Sequence, residues 1–252
     1  MCIDCGCGDP EGPRVTLVHA HDHRHSHQHP HEGPPGGVRT ISLEQAVLAK
    51  NDALAATTRR WLAERSITAL NLMSSPGSGK TSLLERTIRD LAGHRPLAVI
   101  EGDQETLLDA ERIRLAGSPV AQINTGAGCH LDADMLRRGL EELDPRTGSL
   151  VFVENVGNLV CPALFDLGEN AKVVIISVTE GDDKPLKYPH MFAAADVLVV
   201  NKIDLLPYVD FDVAACAGRA RSLNPGLTVI PLSVRSGEGV EAWYRWIEAY
   251  ER

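Results

Sequence analysis

The chain has 252 residues, 43% apolar and 23% charged, which is enough to bury the core of one main domain. Its net charge of −9 argues against nonspecific binding to nucleic acid or an anionic membrane, which want a basic face, and 4% aromatic content offers no stacking platform for single strands. No run approaches the ~20 apolar residues of a membrane span, and no charged start precedes an apolar run, so a cytoplasmic protein is expected.

Residues 1–37 open with MCIDCGCG and run on through VHAHDHRHSHQHPHEGPPGG. They lack apolar periodicity, which predicts a flexible arm ahead of a folded domain at 38–252. Cys2, Cys5 and Cys7 stand at metal-clip spacing, and in a reducing compartment clustered thiols favour metal ligation over disulfides. Seven of the ten histidines, His19, His21, His23, His25, His27, His29 and His31, occupy alternate positions. The intervening Ala, Asp, Arg, Ser, Gln and Pro argue against a purification tag. Neutral imidazoles would buffer metal; the alternative is a solvated linker.

Ser42 with Gln45 predicts a capping box opening a helix that runs to about Arg65. Beyond it, the apolar runs ITALNLM, PLAVIE, VAQIN, LVFVEN, KVVIISV, DVLVVN and TVIPLSV alternate with turns and helical stretches. Continuous rather than alternating apolar runs predict strands buried on both faces. The expected fold is therefore α/β, a mostly parallel sheet covered by helices on both sides, and the turn SSPGSGKT after its first strand makes it a P-loop NTPase.

ITALNLM leads straight into Ser74-Ser75-Pro76-Gly77-Ser78-Gly79-Lys80-Thr81, nearly G-x-x-x-x-G-K-T, with Ser74 in the first glycine's place. After a strand and before a helix, such a turn converges backbone N–H groups and a helix dipole on phosphate. Gly77, Ser78, Gly79, Lys80, Thr81 and Ser82 are the phosphate-binding candidates. Lys80 would reach the β and γ phosphates, and the Thr81 hydroxyl would ligate Mg²⁺. Asp103 in VIEGDQ is a candidate Mg²⁺ ligand or water-positioning acid, with an exposed loop acid as the alternative.

Cys129-His130, ending NTGAGCH, and Cys161, ending ENVGNLVC, both follow strands. Two thiolates and an imidazole suit Zn²⁺ or Ni²⁺; buried free cysteines beside a loop histidine are the alternative. Glu154-Asn155-Val156-Gly157 looks like a D-x-x-G switch with Glu for Asp, so that Gly157 would present its N–H to the γ-phosphate. Asn158 stands where fast GTPases carry a water-orienting Gln, which predicts slow hydrolysis. Asn201-Lys202-Ile203-Asp204 closes a strand: Asp204 would accept from guanine N1–H and its 2-amino group, Asn201 would buttress the loop, and Lys202 would lie along the base. Ser233 belongs to a further loop against the base, and Cys216 in VAACAGRA reads as packing.

Together MCIDCGC, the His-rich linker, SSPGSGKT, EGDQ, GAGCH, ENVGNLVCP, VTEGDDKPLKYP and NKID resemble the hydrogenase nickel-incorporation GTPases of the HypB family, from Met1 to the C-terminus. The resemblance implies a GTP- and GDP-binding homodimer that brings Ni²⁺ to a nickel-iron hydrogenase large-subunit precursor, working with a HypA-type accessory protein. It implies that Cys2, Cys5 and Cys7 form a tight nickel site, and that Cys129, His130 and Cys161 form a second site near the dimer contact. Asp182, Asp183 and Lys184 fall in a family loop. Three thiols and the α-amine would suit square-planar Ni²⁺, whereas tetrahedral Zn²⁺ would want a fourth ligand from elsewhere. A urease-type nickel GTPase would carry Cys-Pro-His, but Ala163 follows Cys161-Pro162. A zinc-transfer GTPase would show Cys-x-Cys-Cys near the second strand, and none is there. Outside these GTPases, the rival classes are a metal-storage protein with a regulatory nucleotide fold and an ATP-dependent kinase, which Asn201 to Asp204 disfavour.

Overall fold

A computed structural model describes residues 36–103, 108–126 and 128–250. The predicted thiol and histidine ligands of the arm, Cys2 to His31, lie outside them. The chain divides into two units, Met1–Gln45 and Ala46–Arg252. Of the first, only the helical residues 36–45 are described.

Helix α1 spans Gly36–Glu64, so the expected start at Ser42 is wrong. Neither proline nor glycine stands between Val38 and Ile41, so nothing there halts a helix, and Ser42 lies inside it.

The second unit is a wound α/β sheet. Its strands are β1 (Thr68–Ser74), β2 (Leu97–Asp103), β3 (Val120–Asn124), β4 (Leu150–Glu154), β5 (Ala171–Ser177), β6 (Val197–Asn201) and β7 (Thr228–Pro231). They lie in the order β3-β2-β4-β1-β5-β6-β7, and every pairing is parallel. The seven apolar runs each supply one strand. The intervening helices are α2 (Lys80–Leu91), α3 (Leu108–Ala116), α4 (Ala133–Leu143), α5 (Cys161–Leu164), α6 (Lys184–Lys187), α7 (Pro189–Ala194), α8 (Val213–Leu223) and α9 (Val240–Tyr250). Among the described residues, no helix is long and apolar enough to cross a membrane.

Adjacent strand residues feed opposite cores, as the period of two requires. Leu70, Leu72, Phe152, Val173 and Ile175 meet Leu83, Ile88, Ile113, Trp243 and Ile247 on one face. On the other, Met73, Val174, Ile176 and Val200 meet Met191, Phe192 and Cys216, while Ala69, Ile100 and Val153 meet Leu62, Leu136 and Leu140. Trp243 is fully buried, and its indole N–H donates to Thr87 Oγ1 at 3.0 Å.

The register aligns the strands' carboxyl ends. Glu154 of β4 pairs with Leu72 of β1 and with Glu101 of β2, and Ser177 of β5 pairs with Asn201 of β6. In an open parallel sheet that edge, where the strand order reverses, is where ligands bind. It carries Ser74, Asp103, Glu154 and Asn201.

Candidate functional site

From β1 the chain turns through Ser74 to Gly79 into α2. Gly77 and Gly79 hold φ of 77° and 96°, the left-handed region that glycine enters without strain. Gly79 has a second constraint: a Cβ there would collide with the Asn201 side-chain amide. The loop borders a cavity of about 550 Å³ whose walls include Lys80, Thr81, Glu101, Asp103, Arg112 and Gly157.

Glu154, at the end of β4, is buried. Its Oε1 accepts from Lys80 Nζ at 2.8 Å and from Thr81 Oγ1 at 2.7 Å. Its Oε2 and Glu101 Oε2 are buried with no hydrogen-bond partner among the described residues. Burial, followed by the negative neighbours Glu154 and Asp103, pushes Glu101 up to about 8. The two orphaned carboxylate oxygens are hard donors of the kind that Mg²⁺ takes. Gly157 lies against the loop, since a Cβ on it would stand 3.2 Å from Pro76 Cγ.

A second cavity of about 360 Å³ opens past Gly79 and Ser82, lined by Asn201, Lys202, Asp204 and Ser233. Asn201 Nδ2 donates to Ser78 O at 2.9 Å, and its Oδ1 accepts from Lys202 N and Val234 N. Lys202 takes φ 64° and sends Nζ to Gly77 O at 2.7 Å. Ser233 Oγ donates to Asp204 Oδ1 at 2.6 Å, leaving the carboxylate's remaining lone pairs for donors in the cavity.

Cys129, His130 and Cys161 converge: their ligand atoms all lie within 4.8 Å of one another. Cys129 Sγ stands 3.6 Å from His130 Nδ1, and Cys161 opens α5. The His130 ring stacks on Phe165, centroids 4.0 Å apart. Burial lowers its pKa, which favours the neutral imidazole that binds metal. Two thiols and an imidazole at this separation fit the donor chemistry of Zn²⁺ or Ni²⁺. Cys216 is apart from them, buried in α8, where burial raises its thiol to about 11. In the loop that follows β5, Asp182 pairs with Arg219, and Asp183 with Lys187.

Several contributors were not singled out from sequence. Arg112 of α3 donates to Ser82 Oγ, Glu85 and Asp109. Glu180 accepts from Ser75 Oγ of the phosphate loop and pairs with Lys184 at 3.3 Å. Asn71 interrupts the apolar run ALNLM; buried, it donates to Glu169 Oε1 at 3.1 Å and accepts from Asn155 at 3.3 Å. A polar residue inside a buried strand was the available signal, because such a group needs a partner.

The all-parallel sheet, the glycine turn at the head of α2 and the polar strand edge define a P-loop nucleotide-binding protein. The family model described as "CobW/HypB/UreG, nucleotide-binding domain" matches residues 68–231. A hydrogenase maturation factor HypB from Azotobacter chroococcum mcd 1 is 60% identical over 210 residues, covering 83% of this chain and 69% of the relative. The crystal structure of HypB from Archaeoglobus fulgidus superposes with TM-score 0.76 at 40% identity, over 81% of this chain and all of that one. That of HypB from Helicobacter pylori in complex with nickel gives 0.75 at 36% identity, over 81% and 95%. The chain belongs to the CobW/HypB/UreG family, within its HypB hydrogenase maturation factors.

Proposed function

We propose that the protein is a GTP-hydrolysing nickel metallochaperone of the cytoplasm that stores Ni²⁺ and assists its insertion into a hydrogenase precursor. The observation that carries this reading is the meeting of Cys129 and His130, from the loop after β3, with Cys161, which lies on a segment continuous with Glu154, the carboxylate that touches the phosphate-loop lysine. Nucleotide chemistry and metal ligation thus share one stretch of chain, residues 154–161. Nickel in a HypB crystal structure from Helicobacter pylori supports reading that metal as the cargo.

In this scheme Asp204, oriented by Ser233, accepts from guanine, while Lys80 and the amides of Gly77 to Ser82 take the phosphates. Thr81 and Asp103, backed by Glu154, would hold Mg²⁺, whose charge offsets that building up between the β and γ phosphates. Gly157, which lies against Pro76, would follow the γ-phosphate. GTP would bring two copies together, and hydrolysis would alter how Cys129, His130 and Cys161 hold nickel before it passes to the precursor with a HypA-type partner. Zn²⁺ suits the same three ligands. Residues 1–37, through Cys2, Cys5, Cys7 and the seven arm histidines, form the store.

The test is hydrolysis of GTP and ATP by the full chain and by Lys80→Ala. Phosphate release from GTP, slow and lost in Lys80→Ala, is the expected result. Equal turnover in the variant, or preference for ATP, would overturn the GTPase reading.

A further inference from the structure

The segment that follows β4 grips the metal-ligand loop at two points. Asn155 is fully buried. Its Oδ1 accepts from Leu131 N at 3.0 Å and from Val156 N at 3.0 Å, and its amide donates to Asn71 Oδ1 on β1. Three residues on, Asn158 Nδ2 donates to Cys129 O at 3.3 Å, while its Oδ1 accepts from Val160 N at 2.8 Å. The two asparagines therefore hold the backbone on either side of His130. Leu131 is seated as well: a Cβ on Gly102 would stand 2.7 Å from its Cγ, so this loop rests on the strand that ends in Asp103.

We propose that Asn155 and Asn158 are positioning residues that transmit nucleotide state to the thiol–imidazole cluster. Cys161 is tied to the 154–157 segment through the chain itself. Cys129 and His130 lie on a different loop, and without a lateral tie a shift of Gly157 would move one ligand and leave the other two behind. The side-chain bonds supply that tie: they act on the peptide groups on either side of His130, so a moving segment reaches all three ligands and not Cys161 alone. Because coupling between two ligands is reciprocal, metal held by the cluster alters nucleotide affinity by the same factor.

The proposal rests on the nucleotide-gated reading above, and the experiment separates the two. Asn158→Asp keeps the acceptor for Val160 N but replaces the donor to Cys129 O with a charged acceptor, whose attraction for nickel acts in both nucleotide states, and Asn158→Ala removes both bonds without adding charge. The protein used is the full chain carrying Cys2→Ser, Cys5→Ser and Cys7→Ser, so that nickel–thiolate charge-transfer absorption reports on Cys129 and Cys161 and not on the arm. Nickel affinity is measured by chelator competition with GDP and with a nonhydrolysable GTP analogue, in this parent and with Asn158→Asp or Asn158→Ala added. The expected result is a nucleotide-dependent shift of fivefold or more in the parent, and a shift under twofold in both variants, which still bind nickel and nucleotide. If both variants keep the parent's full shift, the asparagines carry no coupling and the proposal fails while the gated reading stands. If the parent shows no shift, the gated reading fails, and the proposal with it. Asn155→Asp, which likewise keeps the acceptor for Leu131 N, is the third variant, and a retained shift there removes Asn155 from the proposal.

Discussion

Replacing Asp204 with Asn probes the base site most directly. Ser233 Oγ already donates to Asp204 Oδ1 at 2.6 Å, so the new amide would keep its oxygen on the serine and turn its NH₂ toward the base. Guanine offers donors at N1 and the 2-amino group, and two acceptor contacts become donor against donor. Hydrogen bonds to a charged partner are worth about 1.5–3 kcal/mol each. Losing two therefore costs about 3–6 kcal/mol, or roughly 10²- to 10⁴-fold in GDP and GTP affinity. Xanthine carries a carbonyl where guanine has the amine, so it regains one contact and should bind Asp204→Asn better than the parent. Titration of fluorescent GDP and XDP against both proteins measures this. A change below about fivefold for GDP, or no gain for XDP, would show that Asp204 does not read the base.

Two further outcomes concern the scaffold. Thr87→Val keeps the shape of the side chain but leaves the buried Trp243 indole N–H without its acceptor; stability should fall by about 1–3 kcal/mol in chemical denaturation, and an unchanged midpoint would refute the bond's importance. Cys216 has a thiol pKa raised from 9.0 to about 11 by burial. Between those values the unfolded chain loses the proton while the native protein keeps it, so stability drops as pH rises, by about 1 kcal/mol at pH 10 from this group. Unfolding of the parent at pH 8 and pH 10 should therefore show a loss that Cys216→Ala lacks, and identical losses in the two proteins would contradict the burial.

What could be read from the sequence was what the chain encodes locally. VVII in KVVIISV and VLVV in DVLVVN announce buried parallel strands because nothing polar interrupts them, and the phosphate loop and Asn201 to Asp204 declare themselves by spacing. The approach of Cys129 and His130 to Cys161 could be anticipated because each follows a strand whose carboxyl end faces the same edge. What stayed hidden depends on strand order. Glu101 belongs to β2 and is buried beside Glu154 only because β2 and β4 are neighbours. Asn155 reaches Leu131, 24 residues away, through a fold that no local pattern specifies. Ser42 misled for the opposite reason: a capping signal is permissive, and the residues before it were equally able to be helical.

The carboxylate oxygen that Lys80 and Thr81 share on Glu154 is a competitor fixed permanently at the site. Any anion that asks for Lys80 must displace a partner whose effective concentration far exceeds that of free solutes. Inorganic phosphate or sulfate offers the lysine little more than Glu154 already does, so it gains almost nothing by entering. A nucleotide recruits the loop amides, the base pocket and the lysine together, and displaces the carboxylate by number of contacts. In the proposed nucleotide site Glu154 would thereby act as a filter that keeps the loop clear of small anions.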